Sequence, residues 1–303
     1  MANYCINEKK SKDCRFLYKG VVIGTDKGLC NIFSEDRPCP NYEHDSSSQL
    51  FGDVNDDDFI EFFNKSRLDI LKPLHEIKDE NILKRLLFKD AKYMPASQIM
   101  DIYRDSDYHL MHLNTINFGY FKYLKNLAIE SNFIFELCIK KFPNPKNIQV
   151  LDYGCGSGIY GLKLALAGYD VTLADLPSKT FKFIQFICKK HNLKVKFQEL
   201  SGDNYALFGK FDYIICTDVL EHVDEPEELL RILIEHMDDN GWIFIATFFD
   251  DMQGQDPSHL LKNTMRYNDY QRWLGKVIQM GLVPLENDPR GCERGFKKLK
   301  SIH

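Results

Sequence analysis

The sequence predicts an α/β fold in which a mostly parallel, doubly wound sheet carries helices on both faces. Two observations lead to this prediction. Between residues 148 and 283, short apolar runs of strand length alternate with amphipathic helical patterns, as in consecutive βαβ units. The first four apolar runs also end in an acidic residue or a glycine turn. In a parallel sheet these ends share one edge, where such folds bind ligands.

The first predicted strand leads into a glycine-rich turn. Residues 150–158 read V-L-D-Y-G-C-G-S-G, and a helical pattern begins at Ile159. Glycine permits positive φ angles and close approach of a ligand, here over a helix N-terminus whose N–H groups favour a carboxylate. The dinucleotide fingerprint G-x-G-x-x-G would need glycine at position 159. The cofactor-binding residues expected from this run are Asp152, Gly154, Cys155, Gly156 and Gly158.

The next two predicted strands also end near carboxylates. Asp175 ends the strand at residues 169–175, about 20 residues after the first glycine, which is the spacing of a ribose-binding carboxylate. A carboxylate there can accept from both ribose hydroxyls of a bound nucleoside, and Leu176 can lie on the adenine of that nucleoside. Asp203 follows the strand at residues 195–197 in a Ser-Gly-Asp-Asn turn. Turn chemistry explains Asp203 as well as a contact to the adenine amine does.

The fourth predicted strand begins at Phe211 and ends in D-V-L-E-H at residues 218–222. Asp218 falls at the same sheet edge as the glycine turn, and we expect it to contact the cofactor. Glu221 and His222 lie where the next helix must start. Electrostatics in the first turn and packing are one explanation of this pair. The other is that the His222 ring faces a bound substrate.

The remaining elements of this region are predicted from shorter patterns. Asn240-Gly241 indicates a turn before an apolar strand at residues 242–249. A helix is expected over residues 266–281, followed by a short strand at residues 282–285. The lysine-rich segment at residues 297–300 is expected to be a solvated tail.

These motifs resemble those of the class I S-adenosylmethionine (SAM) dependent methyltransferases. D-x-G-x-G-x-G resembles their motif I, and D-V-L-E-H resembles their motif IV. The resemblance implies a Rossmann-like sheet of seven strands, with SAM as the cofactor. It also implies methyl transfer to an oxygen, nitrogen or carbon nucleophile. D-P-S-H-L at residues 256–260 and Asp-Leu-Pro at residues 175–177 resemble a poorly characterised branch of small-molecule type.

Two histidines are candidate catalytic bases. Methyl transfer needs a nucleophile aligned with the S–CH3 bond and, where necessary, removal of its proton. Histidine titrates near working pH and can be that base. The candidates are His222 and His259, with Asp218 or Glu221 as the orienting partner. His259 belongs to a polar loop that leaves the carboxyl edge of the sheet, where it should overhang the acceptor.

Two other functions fit the same residues. Some small-RNA and quinone O-methyltransferases resemble this chain at motif IV and bind magnesium there through E-x-x-E-H. This chain has D-x-x-E-H, with Asp218 in the first position and His259 as a further candidate ligand. The other alternative is a non-catalytic SAM-binding or scaffold protein, whose N-terminal half would be the interaction module.

Three segments are expected along the chain: a Cys-containing segment with a short β element at residues 1–48, a mainly helical lid or substrate region at residues 49–145, and the SAM-binding domain at residues 146–303. Four cysteines in the first segment are spaced C-x8-C-x15-C-x8-C. They are either a zinc site or incidental residues of a small hairpin. These cysteines are Cys5, Cys14, Cys30 and Cys39.

The helical region before the glycine turn is expected to fold over the cofactor. Helical patterns cover residues 58–71, 81–88, 95–103 and 120–142. In methyltransferases of this kind such helices often form a lid. Arg104 or Tyr108 could then hold the methionine carboxylate or close the substrate pocket; an ordinary solvated helix end explains both equally well.

Composition limits the partners. The 303-residue chain has a formal net charge of −5 and a pI near 6.0, so a nucleic acid is not the expected substrate. No apolar stretch approaches the ~20 residues that span a bilayer, and the N-terminus has no apolar signal core. We expect a cytoplasmic protein that acts on a small-molecule acceptor; the sequence does not predict its oligomeric state.

Overall fold

The computed structural model describes residues 56–65, 94–105, 133–201, 205–249, 258–267, 269–287 and 293–299. Within these ranges the strands form one seven-stranded sheet. They are β1 (Gln149–Tyr153), β2 (Asp170–Asp175), β3 (Lys196–Glu199), β4 (Phe211–Thr217), β5 (Met237–Ala246), β6 (Leu282–Asn287) and β7 (Glu293–Lys298).

Among the described residues, helices precede the sheet and separate most of its consecutive strands. In chain order they are α1 (Asp56–Phe63), α2 (Ala96–Asp105), α3 (133–141), α4 (Ile159–Leu166), α5 (Lys179–Lys190), α6 (Pro226–His236), α7 (Leu261–Tyr267) and α8 (Tyr270–Gln279). Over the part of the chain that the structure describes, no helix has the length and apolar character needed to cross a membrane.

The sheet has the strand order β3-β2-β1-β4-β5-β7-β6. Strands β1 to β5 are parallel, and β7 is antiparallel to both β5 and β6. The chain leaves β1 toward β2 and β3, then returns to the other side of β1 as β4. This reversal creates a crevice outside the carboxyl ends of β1 and β4, where open α/β sheets bind ligands. The predicted Rossmann-like, mostly parallel sheet is confirmed.

Alternating side chains of the strands build an apolar core on each face of the sheet. Val150 of β1 packs with α3, α4 and α5 on one face, whereas the next residue, Leu151, packs with α6 and α8 on the other. Helix α3 thus contributes to the core of the sheet, although it precedes the predicted domain boundary at residue 145. That boundary stays a prediction.

The end of the chain differs from the sequence prediction. Lys297 and Lys298 belong to β7, which inserts between β5 and β6, so the predicted solvated tail is wrong for these residues. Phe296 is the buried apolar side chain of β7 that packs in the core. The predicted closing helix is two helices, because the Asp269 side chain caps a new one by accepting from the N–H of Gln271 at 2.9 Å.

Strand β5 also differs in its bounds. It ends at Ala246, before the predicted residue 249, and it begins at Met237. The predicted turn at Asn240-Gly241 lies inside this strand at a register irregularity, where β4 pairs first with Met237 and then with Trp242. Asn240 and Gly241 therefore belong to a bulge-like irregularity within β5.

Helices α1 and α2, which precede β1 in the chain, pack on the sheet domain. Phe62 and Phe63 of α1 contact Phe183 on α5, with ring centroids 5.4 and 5.0 Å apart. Helix α2 packs through its buried residue Ile99 against Leu260, just before α7. Helix α2 therefore lies beside the residue that leads into α7.

Candidate active site

The glycine turn joins β1 to α4 at the carboxyl edge of the sheet. Gly154, Gly156 and Gly158 have φ angles of +66°, +52° and +71°, which residues with a side chain rarely adopt. Gly154 is also required for space, since a Cβ there would lie 2.3 Å from Cγ2 of Val219. Absence of a side chain at Gly154 therefore lets the glycine turn pack against the segment after β4.

Asp152, at the end of β1, caps helix α4. Its carboxylate accepts a hydrogen bond from the N–H of Gly161 at 2.8 Å. The residue before the helix, Gly158, has no side chain that could cap it, so Asp152 takes that part from the neighbouring strand. Only 1% of Asp152 is exposed, and burial raises its pKa to about 7. Its predicted contact with the cofactor stays a prediction.

Asp175, at the end of β2, faces the glycine turn. One carboxylate oxygen accepts from the N–H of Gly156 at 2.5 Å, and the other accepts from the N–H of Leu176 at 2.6 Å. Burial raises the pKa of Asp175 to about 6, even though these two donors and the Cys155 thiol favour the ionised form. Because each carboxylate oxygen has two lone pairs, the group can still accept from two ligand hydroxyls.

Leu176 and Asp218, two further residues predicted to bind the cofactor, lie at the same edge of the sheet. Asp203, also predicted, lies outside the described residues. Leu176 is half-buried and packs against the core on the face of α6 and α8. Asp218 has a φ of +52°, and its N–H donates to the carbonyl of Ala246 at 2.8 Å. Such a backbone is uncommon for a residue with a side chain and is concentrated at functional sites.

Glu221 belongs to the loop that follows β4, and its side chain is buried. Its Oε2 accepts from the Thr247 hydroxyl at 2.7 Å, and its Oε1 accepts from the N–H of Phe248 at 3.1 Å. Both donors follow β5 directly, so this carboxylate holds the ends of two neighbouring strands together.

His222 and His259 lie side by side, with ring centroids 5.1 Å apart. Nδ1 of His222 lies 3.0 Å from the carbonyl oxygen of Ser258. Because a carbonyl oxygen only accepts, Nδ1 is the donor in this contact, and in the neutral imidazole Nε2 then keeps its lone pair. Glu221, His222 and His259 each offer one ligand atom, and these atoms lie within 4.8 Å of one another. Asp218 is described but is not a member of this group.

Three residues near the histidines escaped the sequence analysis. The Tyr103 ring on α2 lies 5.4 Å from the His222 ring, edge to face. Ser258 supplies the carbonyl that accepts from His222. The Asn263 amide, on α7, donates to the carbonyl of Val223 at 2.7 Å. These contacts join residues far apart in the chain, and no local pattern marks them.

Arg104, predicted as a lid residue, points toward solvent. Its guanidinium pairs with Asp101 at 2.5 Å and with Asp105 at 3.3 Å, both on the same helix. Its contact with a methionine carboxylate stays a prediction. Tyr108 and the four N-terminal cysteines lie outside the described residues.

The groups at the carboxyl edge fit SAM. Asp175 offers the carboxylate oxygens that ribose hydroxyls need, and Leu176 offers an apolar surface beside it. The first N–H groups of α4, at Ile159 and Tyr160, precede the one that Asp152 caps, and a helix N-terminus favours a carboxylate. The donors and acceptors therefore correspond to the polar groups of this cofactor.

A second concavity lies at the opposite edge of the sheet. This groove of 790 Å³ is lined by residues that include His191, Lys194 and Lys196. It lies where α4 and α5 end, far along the strands from the glycine turn. The motif residues do not line it.

Comparison with known families agrees with the motifs. A model described as a methyltransferase domain matches residues 128–282, slightly more than half of the 303-residue chain. The chain belongs to the class I SAM-dependent methyltransferases. SAM, predicted from the sequence, is the cofactor of this family. The match begins before β1 and includes α3, in agreement with the packing of that helix on the sheet.

Curated relatives cover part of the same region. The ubiquinone biosynthesis O-methyltransferase of Rickettsia prowazekii (strain Madrid E) is 28% identical over 130 residues, 43% of this chain and 51% of the relative. The enzyme of the same description from Bordetella avium (strain 197N) is 34% identical over 101 residues, 33% and 42% of the two chains. The chain spans about half the length of the curated relatives it matches.

Among solved structures, magnesium protoporphyrin IX methyltransferase from Synechocystis PCC 6803 with bound SAH matches with a TM-score of 0.48 and 18% identity. The match covers 68% of this chain and 99% of that one. A similarity at this level carries no argument about substrate.

Proposed function

We propose that this chain transfers the methyl group of SAM to an oxygen, nitrogen or carbon nucleophile of a small molecule. The proposal rests on two groups of residues at the carboxyl edge of the sheet. Asp175 faces the glycine turn, as a ribose-binding carboxylate would, and Glu221, His222 and His259 lie close together. Oxygen is the first acceptor atom to test, because the curated relatives are O-methyltransferases.

The cofactor side of the site orients its ligand. Asp175 accepts from the ribose hydroxyls while the N–H groups of Gly156 and Leu176 hold its carboxylate in place. The N-terminus of α4 attracts the methionine carboxylate. Bound SAM supplies an electrophilic methyl group. What the protein adds here is alignment, which places that methyl group toward the acceptor.

On the acceptor side, His222 removes the proton of the nucleophile. Its Nδ1–H is held by the Ser258 carbonyl, which leaves Nε2 as the proton acceptor. Glu221 lies within reach of both histidines and stabilises the imidazolium that forms. His259 is the alternative base. The Tyr103 ring, edge to face with His222, forms a wall of this side of the site.

Label transfer tests the proposal. Purified protein is incubated with methyl-labelled SAM and a small-molecule extract, and labelled products are identified by mass spectrometry. We expect label in a small molecule and formation of one S-adenosylhomocysteine per methyl group transferred. Tight SAM binding with no label in any fraction would favour the non-catalytic SAM-binding alternative instead.

Single replacements of the two histidines test the base. His222→Ala should leave SAM affinity within a few-fold of the parent and lower turnover by about 10²–10⁴, the usual contribution of a general base. If only His259→Ala has this effect, the base is His259. Full turnover in both variants would mean that the acceptor arrives already nucleophilic.

Metal-assisted methyl transfer is the second candidate, favoured by the closeness of Glu221, His222 and His259. Two imidazoles and one carboxylate suit zinc, manganese or iron better than magnesium, which prefers oxygen ligands. Nδ1–H donation to a carbonyl is also usual for a ligating histidine. Loss of turnover on chelation, with recovery on adding one of these metals, would replace the base assignment; unchanged turnover would exclude this candidate.

Location and partners follow the same proposal. A small-molecule acceptor, no nucleic-acid substrate and a cytoplasmic location remain predictions from the net charge of −5 and the sequence pattern. The division into a helical substrate region and a SAM-binding domain is likewise proposed.

A further inference from the structure

Asn263 lies behind the acceptor side of the site, on the first turn of α7. The residue is 2% exposed. Its side-chain amide donates to the carbonyl of Val223 at 2.7 Å and approaches the carbonyl of Glu221 at 3.4 Å. These two carbonyls flank His222 in the sequence, so one amide group holds the backbone on both sides of the histidine.

The carbonyl that fixes the His222 ring belongs to the same unit as Asn263. Ser258, which is fully buried, lies three residues before the start of α7, and its carbonyl accepts from Nδ1 of His222 at 3.0 Å. The N–H of Leu260 donates to the carbonyl of Glu221 at 3.1 Å, and the N–H of Asn263 donates back to the carbonyl of Leu260 at 2.9 Å. Ring and backbone of His222 are thus both held by the segment from residue 258 to 263.

We propose that Asn263 is the positioning residue of the acceptor site and that it sets the tautomer of His222. This proposal rests on the proposed function of His222 as the base. By holding the loop on both sides of the histidine, Asn263 keeps Nδ1 within hydrogen-bond distance of Ser258. Without the amide, the loop relaxes and Nδ1 loses its acceptor. The proton then moves to Nε2, the atom that must accept it in the reaction.

The hydrogen bond from Nδ1 of His222 to the Ser258 carbonyl selects the less common tautomer of histidine. When no partner intervenes, the proton of a neutral histidine side chain prefers Nε2, so a dominant Nδ1–H form needs an acceptor held in place. The buried Asn263 amide has two N–H donors, of which one serves the Val223 carbonyl and the other approaches the Glu221 carbonyl, which also accepts from the N–H of Leu260. Position and tautomer are therefore linked through one side chain.

Nitrogen-15 NMR of the histidine side chains tests the proposal without any acceptor substrate. The full chain is studied at a pH where His222 is neutral, with a metal chelator present, and His222 is assigned from the signals that disappear in His222→Asn. Asn263→Asp keeps the side-chain shape and removes the amide N–H donors, and Asn263→Ala is studied beside it because alanine has no side-chain donor in any protonation state. Lys262→Ala is the matched control, because Lys262 ties α7 to the same loop at the surface through Asp224 at 2.6 Å.

We expect Nδ1–H to dominate in the parent and in Lys262→Ala, and Nε2–H to dominate in the folded Asn263 variants. A parent in which Nε2 carries the proton would overturn the proposal. So would Asn263 variants that melt at a lower temperature but keep the Nδ1–H form, since that result assigns Asn263 a structural role only. Absence of methyl transfer by the parent would refute the proposed function and leave this result intact.

Discussion

Lowering the pH from 7.5 to 5 should weaken SAM binding about tenfold through Asp175. The raised pKa of about 6 means that the folded protein holds this carboxyl protonated at pH 5 and ionised at pH 7.5. The ionised form can accept from both ribose hydroxyls, whereas the protonated form has one oxygen occupied as a donor. Affinity is therefore present above pH 6 and is lost as the pH falls through 6.

The magnitude follows from the pKa. About one tenth of the protein carries ionised Asp175 at pH 5, which raises the apparent Kd about tenfold, or about 1.4 kcal/mol. Asp175→Asn should bind SAM about 10–100-fold more weakly than the parent at pH 7.5, the scale of hydrogen bonds to a charged group. Between pH 5 and 7.5 its affinity should stay nearly constant.

Isothermal titration calorimetry at several pH values measures this effect, with circular dichroism as a check of folding. Asp170→Asn is the matched control, because Asp170 lies at the other end of β2 and pairs with Lys196 at 2.7 Å. This variant should follow the parent at every pH. A parent whose affinity does not change between pH 5 and 7.5, or an Asp175→Asn variant with the same pH dependence as the parent, would refute the reasoning.

Two further predictions concern the frame of the site. Gly154→Ala should lower the free energy of unfolding by about 1–3 kcal/mol, because its Cβ meets Val219; adding Val219→Ala should restore part of the loss in chemical denaturation. Asp152→Asn should gain stability relative to the parent as the pH rises from 4 to 7, since the raised pKa of about 7 means that ionising Asp152 destabilises the fold. The expected gain is about 2–4 kcal/mol, and a constant difference between the two proteins across this range would contradict it.

Local sequence is enough to predict the proposed cofactor half of the site. The strand, the glycine turn and the helix of motif I are contiguous, so Gly154, Gly156 and Gly158 are identified by spacing alone. Asp175 is close enough in the chain for the same kind of argument. The sequence could not show that Asp152 caps α4, because a β-strand residue that replaces a missing N-cap has no spacing rule.

The proposed acceptor half of the site depends on contacts between residues that are distant in the chain. His222 and His259 were predicted, but their meeting depends on how the loops after β4 and β5 pack. Tyr103 and Asn263 were missed because one reaches the site from a helix before the sheet and the other from a helix after it. Asn263 stands between two other polar residues of α7, Lys262 and Thr264, so the sequence gives no signal that this one is buried against a carbonyl.

Strand β7 illustrates the same limit. Its sequence, E-R-G-F-K-K, has one large apolar residue among charged ones, which is typical of a solvated segment. The strand forms because β5 and β6 offer hydrogen-bonding edges on both sides, and Phe296 fills the core between them. The partners of β7 are therefore determined by how the whole sheet assembles, which the local sequence does not show.

Backbone amide NMR during a SAM titration tests the central claim, that the carboxyl edge of the sheet binds the cofactor. We predict saturable shifts at the amides of Gly156, Gly158 and Leu176, complete at one SAM per chain. The amides of His191 and Lys196, at the groove on the opposite edge, should not change. Shifts centred on that groove, or no shifts at the glycine turn in the presence of excess SAM, would contradict the account.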